Sequence, residues 1–173
     1  IQEVAYEYPF EFFEENIWKI PRPRPDRDQI KAAITLLKTS KKPLIISGGG
    51  VRYSGAGAAL AKFAKVHGIP MAETIAGKGA VMHNHEAYVG PLGIEGTDAA
   101  KEMAEGADVI LAVGTRLQDF TTGSWTTFNR ETQFINVNTA RFDARKHRSL
   151  PVIGDALECL AELDTALGDW ICD

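Results

Sequence analysis

The sequence predicts an α/β fold, a doubly wound sheet of six parallel strands. Three observations lead there. Two apolar runs, Leu44 to Ser47 and Val109 to Val113, stop at glycine and open into small polar residues, Gly48-Gly49-Gly50 and Gly114-Thr115-Arg116; each has the pattern of a buried parallel strand ending in a turn. Other segments carry apolar residues at helical spacing. The two kinds alternate along the chain, as parallel strands joined by helical crossovers require.

Asp26 with Gln29 resembles a capping box, and Ile30, Ala33, Ile34 and Leu37 then repeat at helical spacing, so a helix is predicted to about Ser40. Pro43 starts the first strand. Ser54 is placed as the cap of a second helix with a buried stripe of Ala56, Leu60, Phe63 and Ala64; Gly68 ends it before a strand from Pro70 to Ile75. A short strand at Tyr88 to Gly90, a helix from Thr97 to Glu105 stopped by Gly106, and the strand Val109 to Val113 continue the alternation. Phe134 to Asn138 and Pro151 to Ile153 complete six strands. The last helix opens on an Asp155 and Glu158 capping pair, buries Ala156, Leu160, Leu163 and Leu167, and ends at Gly168.

Composition bounds the function. With 173 residues, 45% hydrophobic and 24% charged, the chain can bury one sizeable core. A formal net charge of −4 offers no field for a polyanion, so neither nucleic acid nor an anionic membrane is an expected partner. The longest apolar runs are too short to span a bilayer. Cys159 and Cys172 form no C-x-x-C pair, which favours a reducing, cytoplasmic setting. The chain starts at Ile1 with no signal-peptide pattern, and an excised piece of a longer protein is expected.

Residues 1–20 hold six of the fifteen aromatics (Tyr6, Tyr8, Phe10, Phe12, Phe13, Trp18), and the stiff stretch Pro21-Arg22-Pro23-Arg24-Pro25 follows. Residues 1–25 read as an interdomain arm whose aromatics pack on a neighbouring domain; an extra strand on this same domain is the alternative. Residues 26–168 are then the domain proper, and 169–173 begin the next linker.

Phosphate motifs fail. The G-x-G-x-x-G pattern started at Gly48 meets Tyr53 at its third glycine, and started at Gly55 it meets Leu60. Gly77-Lys78-Gly79 lacks the hydroxyl residue of a P-loop. The Gly48-Gly49-Gly50 turn could approach a phosphate or simply reverse the chain. Where a dinucleotide fold often ends a later strand with a carboxylate, this chain has Asn136 and Asn138, which give up the charge-assisted bond to a ribose. His83-Asn84-His85-Glu86 reads as a solvated turn before a metal site, and Arg141, Arg145, Lys146, His147 and Arg148 as a solvated or interdomain basic face. No serine sits in G-x-S-x-G and no cysteine has an evident base partner. No catalytic residue is assigned.

A resemblance covers residues 26–168 in order. Gly48-Gly49-Gly50, Ser54-Gly55-Ala56, Gly68-Ile69-Pro70-Met71-Ala72-Glu73-Thr74, Gly77-Lys78-Gly79, Tyr88-Val89-Gly90, Leu92-Gly93, Gly96-Thr97, the run Ala107 to Arg116 and Gly154-Asp155 are similar to the Rossmann-like central domain of thiamine-diphosphate enzymes. The arm and Pro-rich stretch resemble the linker that precedes that domain. Within the family, Gly114 to Trp125 most resembles the trihydroxycyclohexane-dione hydrolases of inositol catabolism.

That resemblance implies a parent enzyme, oligomeric and dependent on thiamine diphosphate and Mg²⁺, which cleaves a C–C bond of a cyclic 1,2-diketone by hydrolysis, giving a deoxyglucuronic acid. It implies a non-catalytic scaffold for this chain, inactive alone, since Gly154-Asp155-Ala156 and Gly168-Asp169-Trp170 lack the second glycine of the diphosphate motif. The alternative is a domain that holds FAD or ADP, as in acetohydroxyacid synthases; this chain departs from them at Phe120, where they carry Arg, and at Asn136 and Asn138, where they carry acids. Position at strand ends plus the resemblance names Gly49, Gly50, Thr74, Gly93, Arg116, Asn136 and Asp155 as candidate cleft residues. A deacylase of the sirtuin type would need a four-cysteine zinc site, which two cysteines cannot supply.

Overall fold

A computed structural model describes residues 7–172. Its elements are α1 (Arg27–Thr39), β1 (Pro43–Ser47), α2 (Gly49–Tyr53), α3 (Gly57–Val66), β2 (Met71–Glu73), β3 (Tyr88–Pro91), α4 (Asp98–Gly106), β4 (Val109–Val113), α5 (Asp119–Thr122), β5 (Gln133–Asn138), α6 (Arg141–Ala144), β6 (Leu150–Ile153) and α7 (Ala156–Leu167). The six strands form one parallel sheet in the order β3-β2-β1-β4-β5-β6, the expected doubly wound arrangement. Because β1 connects outward to β2 and the chain later returns to place β4 on its other side, strand order reverses between β1 and β4. The crevice of such a sheet opens at that reversal, outside the carboxyl ends.

Every residue of β1 and β4 is buried, as central parallel strands covered on both faces must be. One face packs Ile45, Leu111, Ile135 and Val137 against α1, α3 and α7, whose stripes supply Leu37, Phe63 and Leu160. The other packs Leu44, Ile46, Ile110 and Ala112 against Ala100 and Ala104 of α4 and against Phe128 and Phe134, whose rings meet edge to face at 5.1 Å.

Several local expectations are corrected. Ser54 caps no helix: it closes α2, its Oγ donating to the Val51 carbonyl, and α3 begins behind Ala56 with no side-chain cap. The stripe of Ala56, Leu60, Phe63 and Ala64 is buried as predicted. Asp26 caps α1, accepting from the Asp28 and Gln29 amides, but the box does not close, because Gln29 Oε1 accepts from the Ile153 amide at 2.8 Å. Asp155 likewise caps α7 through the Leu157 amide, while Glu158 turns away to Arg24. β2 ends at Glu73, where Thr74 takes over and its Oγ1 accepts from the Gly77 amide to start a short turn. The arm forms no strand among its described residues: Phe10–Phe13 is one 3-10 turn, and Phe10, Phe13 and Trp18 are exposed. Tyr6 lies outside the described residues.

The chain after α7 folds back on the domain. Buried His67, just past α3, faces the Trp170 carbonyl with Nδ1 at 2.7 Å and Asp164 with Nε2 at 3.0 Å, and its own carbonyl accepts from the Cys172 amide. Replacing His67 with Ala removes two side-chain bonds and opens space beside Phe63, whose ring contacts the imidazole edge to face. Urea unfolding is expected to show a loss of about 2–3 kcal/mol; a loss below about 0.5 kcal/mol would mean that the tail is not anchored there.

Candidate functional site

The turns after β1 and β4 meet backbone to backbone. Gly48 donates its amide to the Val113 carbonyl at 2.9 Å and Gly50 donates to the Gly114 carbonyl at 2.8 Å. A Cβ on Gly50 would lie 2.7 Å from Gly114 Cα, and one on Gly114, where φ is +62°, would lie 2.7 Å from Gly50 Cα. Only residues without side chains allow this approach. Next to it, Gly77 sits under the Ser47 carbonyl, where a Cβ would also collide.

Two hollows flank this contact and share Gly50, Tyr53 and Gly114 as lining. The first, of about 260 Å³, lies beneath Thr74, Arg116, Gln118 and Phe120. Its charged group is the exposed Arg116, whose Nη2 donates to Gln118 Oε1 at 3.1 Å. The second, of about 390 Å³, lies between Asn138, Asp155 and the strap formed by Ile20, Pro21 and Pro23. There Arg22 Nη1 reaches the Ser54 carbonyl at 2.6 Å and both Asp155 oxygens at 3.2–3.3 Å, and the Asp155 amide donates to the Pro23 carbonyl at 2.8 Å.

Residues 30–163 match the family "Thiamine pyrophosphate enzyme, central domain". The chain belongs to that family. A relative from Clostridium perfringens named 3D-(3,5/4)-trihydroxycyclohexane-1,2-dione hydrolase is 42% identical over 168 residues, 96% of this chain and 26% of the relative. One of the same name from Geobacillus thermodenitrificans is 39% identical over 171 residues, covering 99% and 27%. The chain therefore spans about a quarter of the length of these relatives. An X-ray structure of a protein from Mycobacterium smegmatis, described as thiamin diphosphate-dependent, superposes with a TM-score of 0.72 at 19% identity over 90% of this chain and 30% of that one, which shows the fold.

In this central domain, Gly49, Gly50, Thr74 and Arg116 line the first hollow, and Asp155 lines the second with Gly50. Gly93 and Asn136 line neither. Gly93, with φ of +126°, lies under the Phe120 carbonyl, where a Cβ would collide. Asn136 shares a face of β5 with Phe134, is fully buried, and donates through Nδ2 to the Asp143 carbonyl at 3.0 Å; its Oδ1 has no partner. Arg22 and Pro23 escaped the sequence reading. The Pro-Arg alternation marked a stiff linker, and nothing in it says that the linker lies down on Asp155. The four residues from His83 to Glu86 build no metal site: among the described residues, no three His, Cys, Asp or Glu side chains gather as a ligand set. His85 Nδ1 instead accepts from the Ala87 amide. Two members of the basic face have partners on this domain, Lys146 2.5 Å from Asp143 and His147 stacked on Trp125 at 3.3 Å.

The wall of the first hollow rests on a buried carboxylate. Glu73 Oε1 accepts from the Tyr88 hydroxyl at 2.7 Å and Oε2 from the Gly79 amide at 3.0 Å, which holds the turn carrying Thr74, Ile75 and Ala76. Burial, with the hydrogen bond to Glu73 and its charge adding to it, pushes the Tyr88 phenol up to about 12 from 10.0. The folded state thus favours the neutral phenol. Its contribution is complete below about pH 10 and is lost as pH rises through about 12. Tyr88→Phe is expected to cost about 1–3 kcal/mol at neutral pH, and the gap between wild type and variant should narrow above pH 10 in urea unfolding. A gap that stays constant to pH 12 would contradict this reading.

Proposed function

We propose that this chain is the non-catalytic central domain of a thiamine-diphosphate-dependent hydrolase that opens the ring of trihydroxycyclohexane-1,2-dione to 5-deoxyglucuronate in inositol catabolism. The supporting observation is the 39–42% identity, over nearly the whole chain, to proteins bearing that hydrolase name. Residues 1–25 are the arm from the preceding domain, 26–168 the central domain and 169–173 the start of the following connection. The parent is a cytoplasmic homo-oligomer with thiamine diphosphate anchored by Mg²⁺ outside this chain.

Thiamine diphosphate supplies a nucleophilic carbon and an electron sink for C–C cleavage. The residues here do other work. Asp155, the nearest approach to a diphosphate-motif aspartate, is committed to the α7 cap and to Arg22. The next position is the buried Ala156 rather than a glycine whose backbone a diphosphate could approach. The chain therefore positions rather than reacts: it holds the arm at one edge of the sheet and folds its tail onto His67 at the other end.

The test compares the 173-residue chain with the longer protein that carries it, each given thiamine diphosphate, Mg²⁺ and the cyclic dione. The longer protein is expected to consume the dione in a cofactor-dependent manner, and the chain alone to show neither turnover nor calorimetric binding of thiamine diphosphate. Turnover or micromolar cofactor binding by the chain alone would overturn the scaffold assignment. A longer protein that leaves the dione untouched would overturn the substrate.

A further inference from the structure

We infer that the dinucleotide end of the cleft is closed by the chain's own strap, with Arg22 clasped to Asp155, and that this domain takes neither FAD nor a free adenine nucleotide. The inference stands whatever the parent enzyme's substrate. A dinucleotide on a doubly wound sheet needs free amides in the glycine turn, an acceptor for the ribose hydroxyls at a later strand end, and an open crevice.

Two of the three amides of the glycine turn are engaged within the protein. Gly48 and Gly50 donate to Val113 and Gly114, and α2 behind them is only five residues long. Gly48 and Gly50 are used for contact between two turns, with Gly114 backbone within 2.7 Å of where a Cβ on either would sit.

The candidate ribose acceptors are engaged or buried away from the hollows. Asn138, at the end of β5, donates through Nδ2 to the Thr115 carbonyl at 3.1 Å and accepts through Oδ1 from the Ala140 amide at 2.9 Å. Asn136, whose Oδ1 has no partner, is fully buried with Nδ2 on the Asp143 carbonyl and lines neither hollow. The carboxylate lining the second hollow is Asp155, whose side chain is 10% exposed and carries the α7 cap together with Arg22. Three hydrogen bonds, two from Arg22 and one from the Leu157 amide, already occupy its oxygens.

The crevice itself is covered. The Pro23 carbonyl is bonded to the Asp155 amide, and at Gly154 an added Cβ would lie 3.0 Å from Pro23 O and 3.1 Å from Pro25 N. Arg24 adds an outer pair with Glu158 at 3.2 Å. A proline-rich strand has little conformational freedom to lose on docking, so a few polar contacts suffice to hold it. The clasp also gives the arm a fixed point of departure, two residues from the exposed Ile20.

Two measurements on the 173-residue chain decide it. Calorimetric titration with FAD and with ADP is expected to give no heat at the micromolar level. Hydrogen exchange at the Asp155 amide is expected to speed up about fivefold in Arg22→Ala, with the β1 and β4 amides unchanged. Arg24→Ala, whose ion pair is solvent-exposed, is the matched control and should leave Asp155 protected. Micromolar binding of either nucleotide to the wild-type chain would overturn the closed cleft. Unchanged exchange at Asp155 in Arg22→Ala, or equal release in Arg24→Ala, would overturn the assignment to Arg22.

Discussion

The backbone contact between the turns after β1 and β4 is the constraint on which the rest of the site depends. It sits at the point where strand order reverses, where a sheet of this kind normally opens. Gly50 and Gly114 approach too closely for a methyl group on either side. Their contact shapes both hollows, sets the course of α2 from Gly49, and fixes where the Ser54 carbonyl emerges to meet Arg22. A glycine turn that in sequence could either approach a phosphate or reverse the chain is, in three dimensions, a joint between two strands.

The strap is energetically light and geometrically demanding. An Arg–Asp pair with 41% of the Arg side chain exposed contributes at most about 1 kcal/mol. The Pro23–Asp155 backbone bond is of similar size. What fixes the strap is convergence: one guanidinium nitrogen serves Ser54 and Asp155 together, and Gly154 leaves room for the chain above it. Beyond it, Phe10, Phe13 and Trp18 of the arm are exposed.

The fold was legible because its signals are local and redundant. Runs such as Val109 to Val113 are apolar on both faces, which only a covered parallel strand requires, and Gly68 and Gly168 mark helix ends by their positive φ. The Asp26 and Asp155 caps formed, but neither capping pair closed where distant partners compete: Gln29 is taken by Ile153 and Glu158 by Arg24, contacts more than a hundred residues apart in both cases. The cleft was only half legible. Gly49, Gly50, Thr74 and Arg116 follow from strand ends, but the direction in which Asn136 points depends on β5 register. The docking of Arg22 depends on a fold-back that no sequence window contains. The family resemblance supplied what periodicity could not, and the match over residues 30–163 agrees with it.

If the glycine turns exist for each other, their substitutions must be coupled. The most direct measurement is a double-mutant cycle of Gly50→Ala and Gly114→Ala by equilibrium unfolding. Each single change should cost about 2 kcal/mol or more, since a methyl meets backbone that cannot give way without moving a strand end. The first methyl already separates the turns, so the double variant should fall short of the additive cost by about 1 kcal/mol or more. Strictly additive costs would show that the two glycines answer to different neighbours and would contradict the account.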